Sequence, residues 1–306
     1  MRVVILSKKD YAGSGFKMYE ALLRYSDIQV SMYRFSSHNR YGHEQGLLVS
    51  EHNLKQVQLD VDMADIIHLK GDWPHDGSYC GVGLRDKPVV ISVSGGLFRK
   101  KIHGGLEKYK ISDYDNCAVK TAMTPDLCYE GFSDIWIPHP IDTDNAPLLW
   151  KYKKEPLLTH SPSSRNVKDT NFVSDIFCKL KQNINIKTAL FENIPFKEID
   201  SLRKGSTMFF DQFKVGFYGN AAIEVMQYGI PVAAWIAPWV NWGNECCTCP
   251  VFTHKKDVNG WVDALVDMLK DKMFMNIWSK MTRKYCENVH SYRAVADKLI
   301  KIYQQL

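Results

Sequence analysis

The sequence predicts an α/β protein built from two Rossmann-like domains and a helical tail, and three observations lead there. The chain has 306 residues, beyond the ~100–200 typical of one domain. Short β-rich runs alternate with helical patterns, the signature of βαβ units around a parallel sheet. The alternation stops at the proline-rich stretch "IPHPIDTDNAP" (137 to 147) and then restarts. The expected division is an N-terminal domain over 1–145, a C-terminal domain over 146–285, and a final helix over 286–306 that crosses back.

In the first half, "RVVILS" (2 to 7) is a continuous apolar run suited to a central strand, followed by a glycine-containing loop and a helix from Phe16 to about Ser26. "IQVSMYRF", "DIIHL", "PVVISVSG" and "AVKTAMT" read as further strands. In the second half the strands are "PLLTHS", "IKTALF", "TMFF", "IPVAAW" and a short "VFTH". Helices are expected near 169–181, near 197–204 and around Glu224, and the last fifty residues read as helical, with Asn259 as a cap. No repeat and no low-complexity segment interrupts this order.

Composition narrows the class. With 45% hydrophobic and 24% charged residues the chain is an ordinary globular protein, not a disordered one. No run reaches the ~18 apolar residues of a membrane span, and "MRVVILSKKD" turns to charge too soon for a signal peptide. The expectation is a cytoplasmic protein that touches a membrane, where it does, at the inner face. Eight cysteines without a secretory signal read as free thiols. A net charge of +5 favours an anionic ligand without naming it.

The stretch "VGFYGNAAIEVMQYGIPVAAW" (215 to 235) joins a glycine-spaced loop, a short helix and a buried strand. Gly216 and Gly219 allow close backbone approach. The free amides at the helix start suit a diphosphate. Glu224, one turn further in, offers two acceptor oxygens to a sugar's vicinal hydroxyls. It equally suits a bland role, as a helix-end charge or a partner for a cation. "KKDYAGSGF" carries Gly13 and Gly15 but no third glycine, so a dinucleotide site is a poor fit and close approach of a ligand to the loop a better one. "ECCTCP" groups Cys246, Cys247 and Cys249 near His254 without paired C-x-x-C knuckles, which favours buried thiols over zinc. Beside it, Trp235, Trp239 and Trp242 suit packing or stacking on a ring. The basic run "FRKKIHGGLEKYK" (98 to 110) is either a solvated face or a contact for an anionic acceptor, a lipid phosphate or a nucleic-acid backbone. The chain has no H-E-x-x-H, Walker loop or G-x-S-x-G elbow.

"DQFKVGFYGNAAIEVMQYGIPV" resembles the nucleotide-sugar segment of GT-B glycosyltransferases, in particular the retaining family four. Glu224 matches the second glutamate of that family's Glu-x7-Glu pattern. Gly216 stands where the first would be, as in a bacterial subgroup with "GWYG" there. "LLTHSPSSRNVKDTNF" (157 to 172) is similar to the basic segment that binds the donor diphosphate, with Lys168 and Arg165 in the basic positions and Asp169 for the usual glycine. "TAMTPDLCYEGFSDIWIPHPIDTD" matches the end of the first domain at Pro125, Asp126, Leu127, Pro138, Pro140, Ile141 and Asp142. "PVVISVSGGLFRKK" matches at Gly95, Gly96 and Arg99, with Ser94 where a histidine would stand.

The resemblance implies the GT-B arrangement, two Rossmann-like domains facing across a cleft, and a hexosyltransferase-like enzyme that retains anomeric configuration and needs neither metal nor cofactor. Its catalytic residues would be Arg165, Lys168 and Glu224. Its donor contacts would be Gly13, Gly15, Gly95, Gly96, Arg99, Gly216, Phe217, Tyr218, Gly219 and Asn220. The donor is a nucleotide sugar, by frequency a UDP-sugar, and the acceptor a glycan or lipid-linked glycan. Two alternatives stay open: a DNA-modifying glycosyltransferase acting on a hydroxylated base, and a sugar-nucleotide-binding protein without turnover.

Overall fold

The structure is a computed structural model that describes residues 1–37, 45–71, 77–95, 98–99, 114–128, 132–240 and 248–306. The chain forms two compact units. The first takes Met1–Pro140 and Tyr292–Leu306, and the second takes Ile141–Val240 and the stretch that ends at Ser291. The change of unit thus falls at Pro140, before the 145/146 point read from the prolines, because Ile141 already bridges to Ser291 in the second unit.

The first unit opens with β1 (Arg2–Lys9), α1 (Ser14–Tyr25), β2 (Gln29–Ser36) and β3 (Leu47–Leu48). It continues through α2 (Leu54–Met63), β4 (Ile66–Lys70), a small antiparallel pair β5 (Ser78–Tyr79) and β6 (Val82–Gly83), β7 (Val89–Val93) and β8 (Val119–Ala122). Six strands make one parallel sheet in the order β3-β2-β1-β4-β7-β8. β4 and β7 are buried along their whole length, as expected of central strands covered on both faces.

The second unit runs β9 (Leu157–His160), α3 (Arg165–Lys168), α4 (Thr170–Asn183), β10 (Lys187–Leu190), α5 (Phe196–Lys204) and β11 (Met208–Phe210). It ends with α6 (Asn220–Met226), β12 (Val232–Ala233), α7 (Val258–Lys270) and α8 (Lys272–Tyr285). Its four strands are parallel in the order β10-β9-β11-β12. "VFTH" contributes a single bridge, Phe252 to Ala233, instead of a strand. Asp257, not Asn259, caps α7: its carboxylate accepts from the amides of Asn259 and Gly260.

The last helix, α9 (Tyr292–Tyr303), belongs to the first unit and packs on α1. A buried hydrogen-bond chain ties it to the sheet. Tyr303 Oη lies 2.6 Å from His68 Nδ1, His68 Nε2 lies 2.7 Å from Ser92 Oγ, and Ser92 Oγ lies 2.6 Å from Thr121 Oγ1. Thr121 donates to the Ile91 carbonyl, so the protons run one way and His68 accepts from Tyr303 as a neutral ring. Burial pushes the His68 pKa down to about 3. In the second unit His160 plays a similar part. Its Nδ1 donates to the Phe210 carbonyl at 2.8 Å and its Nε2 accepts from Thr170 at 3.0 Å, and burial lowers its pKa to about 4.

Both histidines bind fewer protons folded than unfolded, so acid favours unfolding. Their stabilisation is complete above the unfolded pKa near 6.5 and is lost as pH falls toward about 4 for His160 and about 3 for His68. Each contributes about 1.4 kcal/mol per pH unit in that window. Urea unfolding at pH 6.5, 5.5 and 4.5 should show this slope, and His160→Gln should flatten it by one proton's share.

Candidate donor site on the second unit

The strand order of the second sheet reverses between β9 and β11, since the chain steps from β9 out to β10 and then back to β11. In open α/β sheets ligands bind beyond the strand C-termini at such a point. Three ion pairs occupy it, and each joins a loop or helix that follows a strand.

Lys168, 7% exposed at the end of α3, gives its ammonium to Asp211, 1% exposed just after β11. The other Asp211 oxygen accepts the amide of Gly219. One carboxylate thereby fixes the lysine and the far end of the 211–219 loop. Gln212 closes the loop from within by donating to the Phe217 carbonyl. A Cβ on Gly219 would press on the pair, standing 3.1 Å from Lys168 Nζ and 3.4 Å from Asp211 Oδ2.

Glu224, on α6 and 7% exposed, accepts from Arg203 Nη1 at 2.6 Å through Oε2. Arg203 comes from the last turn of α5, donates through Nε to Ser161 Oγ at 2.8 Å, and lies over the Phe209 ring. Of the two roles open to Glu224, pairing with a cation is visible in the ligand-free chain, with an arginine as the partner. Arg165, at the first position of α3, pairs with Glu192 at 2.5 Å; its side chain is 54% exposed, so that bond adds little stability.

Gly216 has φ +87°, and a Cβ there would meet the Ala237 Cβ at 2.8 Å while its carbonyl accepts from Ala237 N at 2.9 Å. No side chain fits in that backbone. The family's first glutamate therefore has no counterpart at this position for a steric reason. Phe217 and Tyr218, expected among the donor contacts, turn their side chains inward: both are 1% exposed. Tyr218 Oη sits 2.7 Å from Tyr285 Oη and 2.8 Å from His290 Nε2, within the core of the unit. Asn220 starts α6, and its Oδ1 is enclosed with no hydrogen-bond partner among the described residues.

The remaining expected contacts lie in the first unit. Gly13 takes the left-handed conformation at the start of α1, and Gly15 is buried. Gly95 is exposed with φ +83°. Arg99 makes a forked pair with Asp126 of the "TPDL" segment, through Nε at 2.5 Å and Nη2 at 3.0 Å, and Nη2 also donates to Thr124. That bond holds Arg99 as an internal anchor. Gly96, the rest of the basic run, Trp242, Cys246 and Cys247 lie outside the described residues. Among the described residues no cluster of His, Cys, Asp or Glu could hold a metal ion, the cysteines are free, and no helix is long and apolar enough to cross a membrane.

No protein-family model matches the chain, and no curated protein sequence does either. Solved structures do. One is an alpha-glucosyltransferase in complex with UDP and a 13-mer DNA containing a HMU base, with a TM-score of 0.69 at 9% identity over 99% of both chains. Anabaena HepE in complex with UDP and glucose gives 0.63 at 11% identity over 100% of both. The sucrose-phosphate synthase of Thermosynechococcus elongatus gives 0.61 at 12% identity over 100% of this chain and 99% of that one. The fold is that of the GT-B glycosyltransferases. The two Rossmann-like α/β units expected from the sequence are thus the ones observed.

Sequence reading missed Asp211 and Arg203. Asp211 stood inside the quoted motif, and a carboxylate directly after a strand of a predicted phosphate site was a usable signal. Arg203 carried none, being one basic residue in a helix with other basic residues. Removing one partner of a buried pair costs about 3–5 kcal/mol. Glu224→Ala should lose that much in denaturant unfolding, and adding Arg203→Met should recover most of it. Gly216→Ala should cost at least ~1–2 kcal/mol from the left-handed backbone alone.

Proposed function

We propose that the protein is a glycosyltransferase that binds a UDP-sugar on its second unit and transfers the sugar to an acceptor hydroxyl. One observation carries the reading: Lys168 and Glu224, the residues matching the family's diphosphate and ribose contacts, are both buried at the point where the second sheet reverses its strand order. The full-length likeness to glycosyltransferases solved with UDP supports the same donor.

In this reading Lys168 stabilises the charge that grows on the leaving diphosphate. An ammonium has three donors and Asp211 takes one, so the lysine can serve a phosphate without giving up its partner. The Asp211 carboxylate keeps the ammonium in place, which turns a flexible side chain into a positioned one. Glu224 has a second oxygen outside its bond to Arg203 and offers it to the ribose hydroxyls. Arg165, exposed at the rim, is released from Glu192 at little cost and adds a second cation. Retention of configuration and independence from metals come with the resemblance, and so does a glycan or lipid-linked glycan as acceptor.

A second acceptor has its own support. Several of the similar structures are alpha-glucosyltransferases bound to DNA, and this chain carries a net charge of +5. DNA bearing a hydroxylated base is therefore the alternative acceptor. Its binding would weaken with salt by about 0.9 log units per phosphate contacted for each log unit of salt.

Thermal unfolding against UDP-, GDP- and ADP-sugars tests the donor. A ligand at ~100 times its dissociation constant adds about 2.7 kcal/mol. A UDP-sugar should stabilise the wild type, and Lys168→Met should lose most of that shift. Incubation with the stabilising donor and candidate glycan, lipid-linked and DNA acceptors should then yield product. Stabilisation without transfer to any of them would favour a binding protein, and no stabilisation by any nucleotide sugar would remove the enzyme reading.

A further inference from the structure

Helix α6 carries Glu224 and begins at Gly219, yet it is only seven residues long. A helix this short is not stable alone, so its position is set by whatever holds its ends. Both ends are held by one stretch of the second unit, residues 283–290.

The C-terminal end is held by Arg283. Its side chain is 16% exposed, and its guanidinium donates to three main-chain carbonyls: through Nη1 to Gln227 and, at 2.9 Å, to Ala146, and through Nη2 to Thr143 at 2.7 Å. Gln227 ends α6, so the cation also meets the negative end of that helix.

The N-terminal end is held through Tyr218, the residue before Gly219. Its Oη lies 2.7 Å from Tyr285 Oη and 2.8 Å from His290 Nε2, and all three side chains are buried. In an α-helix, residues five apart point about 140° away from each other, and Tyr285 and His290 would not share a hydroxyl. Here the chain makes a single π-helical turn, Cys286–His290, whose i to i+5 spacing brings His290 back over Tyr285. Apolar side chains would fill the same space without fixing a direction. A hydroxyl shared between two polar tips fixes Tyr218 in one place.

We propose that Arg283, Tyr285 and His290 are positioning residues of the donor site, and that the π turn aims the last two at Tyr218. They act through the two ends of α6, setting the Gly219 amide and the Glu224 carboxylate relative to Lys168. The inference rests on the donor reading of the second unit.

Isothermal titration of the full chain with UDP, set beside melting temperatures without ligand, tests it. Tyr218→Phe removes one oxygen and should weaken UDP binding about fivefold, the equivalent of one lost hydrogen bond. Tyr303→Phe deletes a buried hydroxyl in the first unit; it should lower the melting temperature by a similar amount and leave UDP affinity unchanged. His290→Leu should weaken binding as Tyr218→Phe does. His290→Gln keeps a polar group within reach of Tyr218 and should restore most of the affinity. Equal UDP affinity in the wild type, Tyr218→Phe and His290→Leu would overturn the proposal and leave the donor reading intact. A loss of affinity in Tyr303→Phe as large as in Tyr218→Phe would do the same, since general destabilisation would then account for both. No binding of UDP to the wild type would remove the donor reading, and this proposal with it. If His290→Leu does not fold, Tyr218→Phe and His290→Gln decide alone.

Discussion

A cation moved out of water must meet an anion or lose its charge. The second unit is organised around that requirement at the ends of its strands. Asp211 answers Lys168 with one oxygen and the Gly219 amide with the other, so the pair also sets the shape of the 211–219 loop. That loop launches α6, which carries Glu224 to Arg203, and Arg203 in turn reaches Ser161 beyond β9. The ends of β9 and β11, the two strands at the reversal, are thus tied together through one buried carboxylate and its neighbours.

The same loop explains the departure at Gly216. Its positive φ and its carbonyl's 2.9 Å bond to Ala237 N belong to a backbone that turns tightly against the chain after β12, with no space for a Cβ. A glutamate there would need a different loop, and a different loop would move Gly219 off Asp211. Glycine at 216 and glutamate at 224 are therefore compatible with one loop. A glutamate at 216 is excluded by local geometry, whereas Glu224 sits on a regular helix whose backbone any residue tolerates.

Much of the fold was legible. Central strands such as "DIIHL" and "PVVISV" announce themselves by unbroken apolar runs, because both their faces are buried. α2 was missed because its apolar residues do not fall on one face: Val57 and Val61 are buried, whereas Leu59 and Met63 are exposed. Lys168 and Glu224 were singled out through the resemblance of their segments, and Glu224 also through its place one turn into a helix that follows a glycine-spaced loop. Their partners Asp211 and Arg203 are 43 and 21 residues away, and no local pattern encodes a contact made by folding. The inward turn of the Phe217 and Tyr218 side chains was not legible either. Their place beside Gly219 is that of a ligand loop, while their side chains turn into an aromatic core with Tyr285 and His290.

Charge accounting then says what kind of recognition such a site performs. Lys168 and Arg203 are balanced by Asp211 and Glu224, so the two buried pairs contribute no net charge. On the proposed reading, a diphosphate arriving there is not drawn by an excess of positive charge but must be matched by donors already aimed at it. Preoriented donors in a dry site act more strongly than mobile ones in water, since no reorientation is needed when charge develops. Neutral pairing in the ligand-free chain also keeps the lysine from being an isolated buried ion, which lets the site wait folded. The exposed Arg165 remains the adjustable part, held only by a surface bond to Glu192 and close in sequence to the rigid lysine. On the proposed reading, Lys168 supplies geometry and Arg165 supplies charge, and the division follows from which of the two the fold has buried.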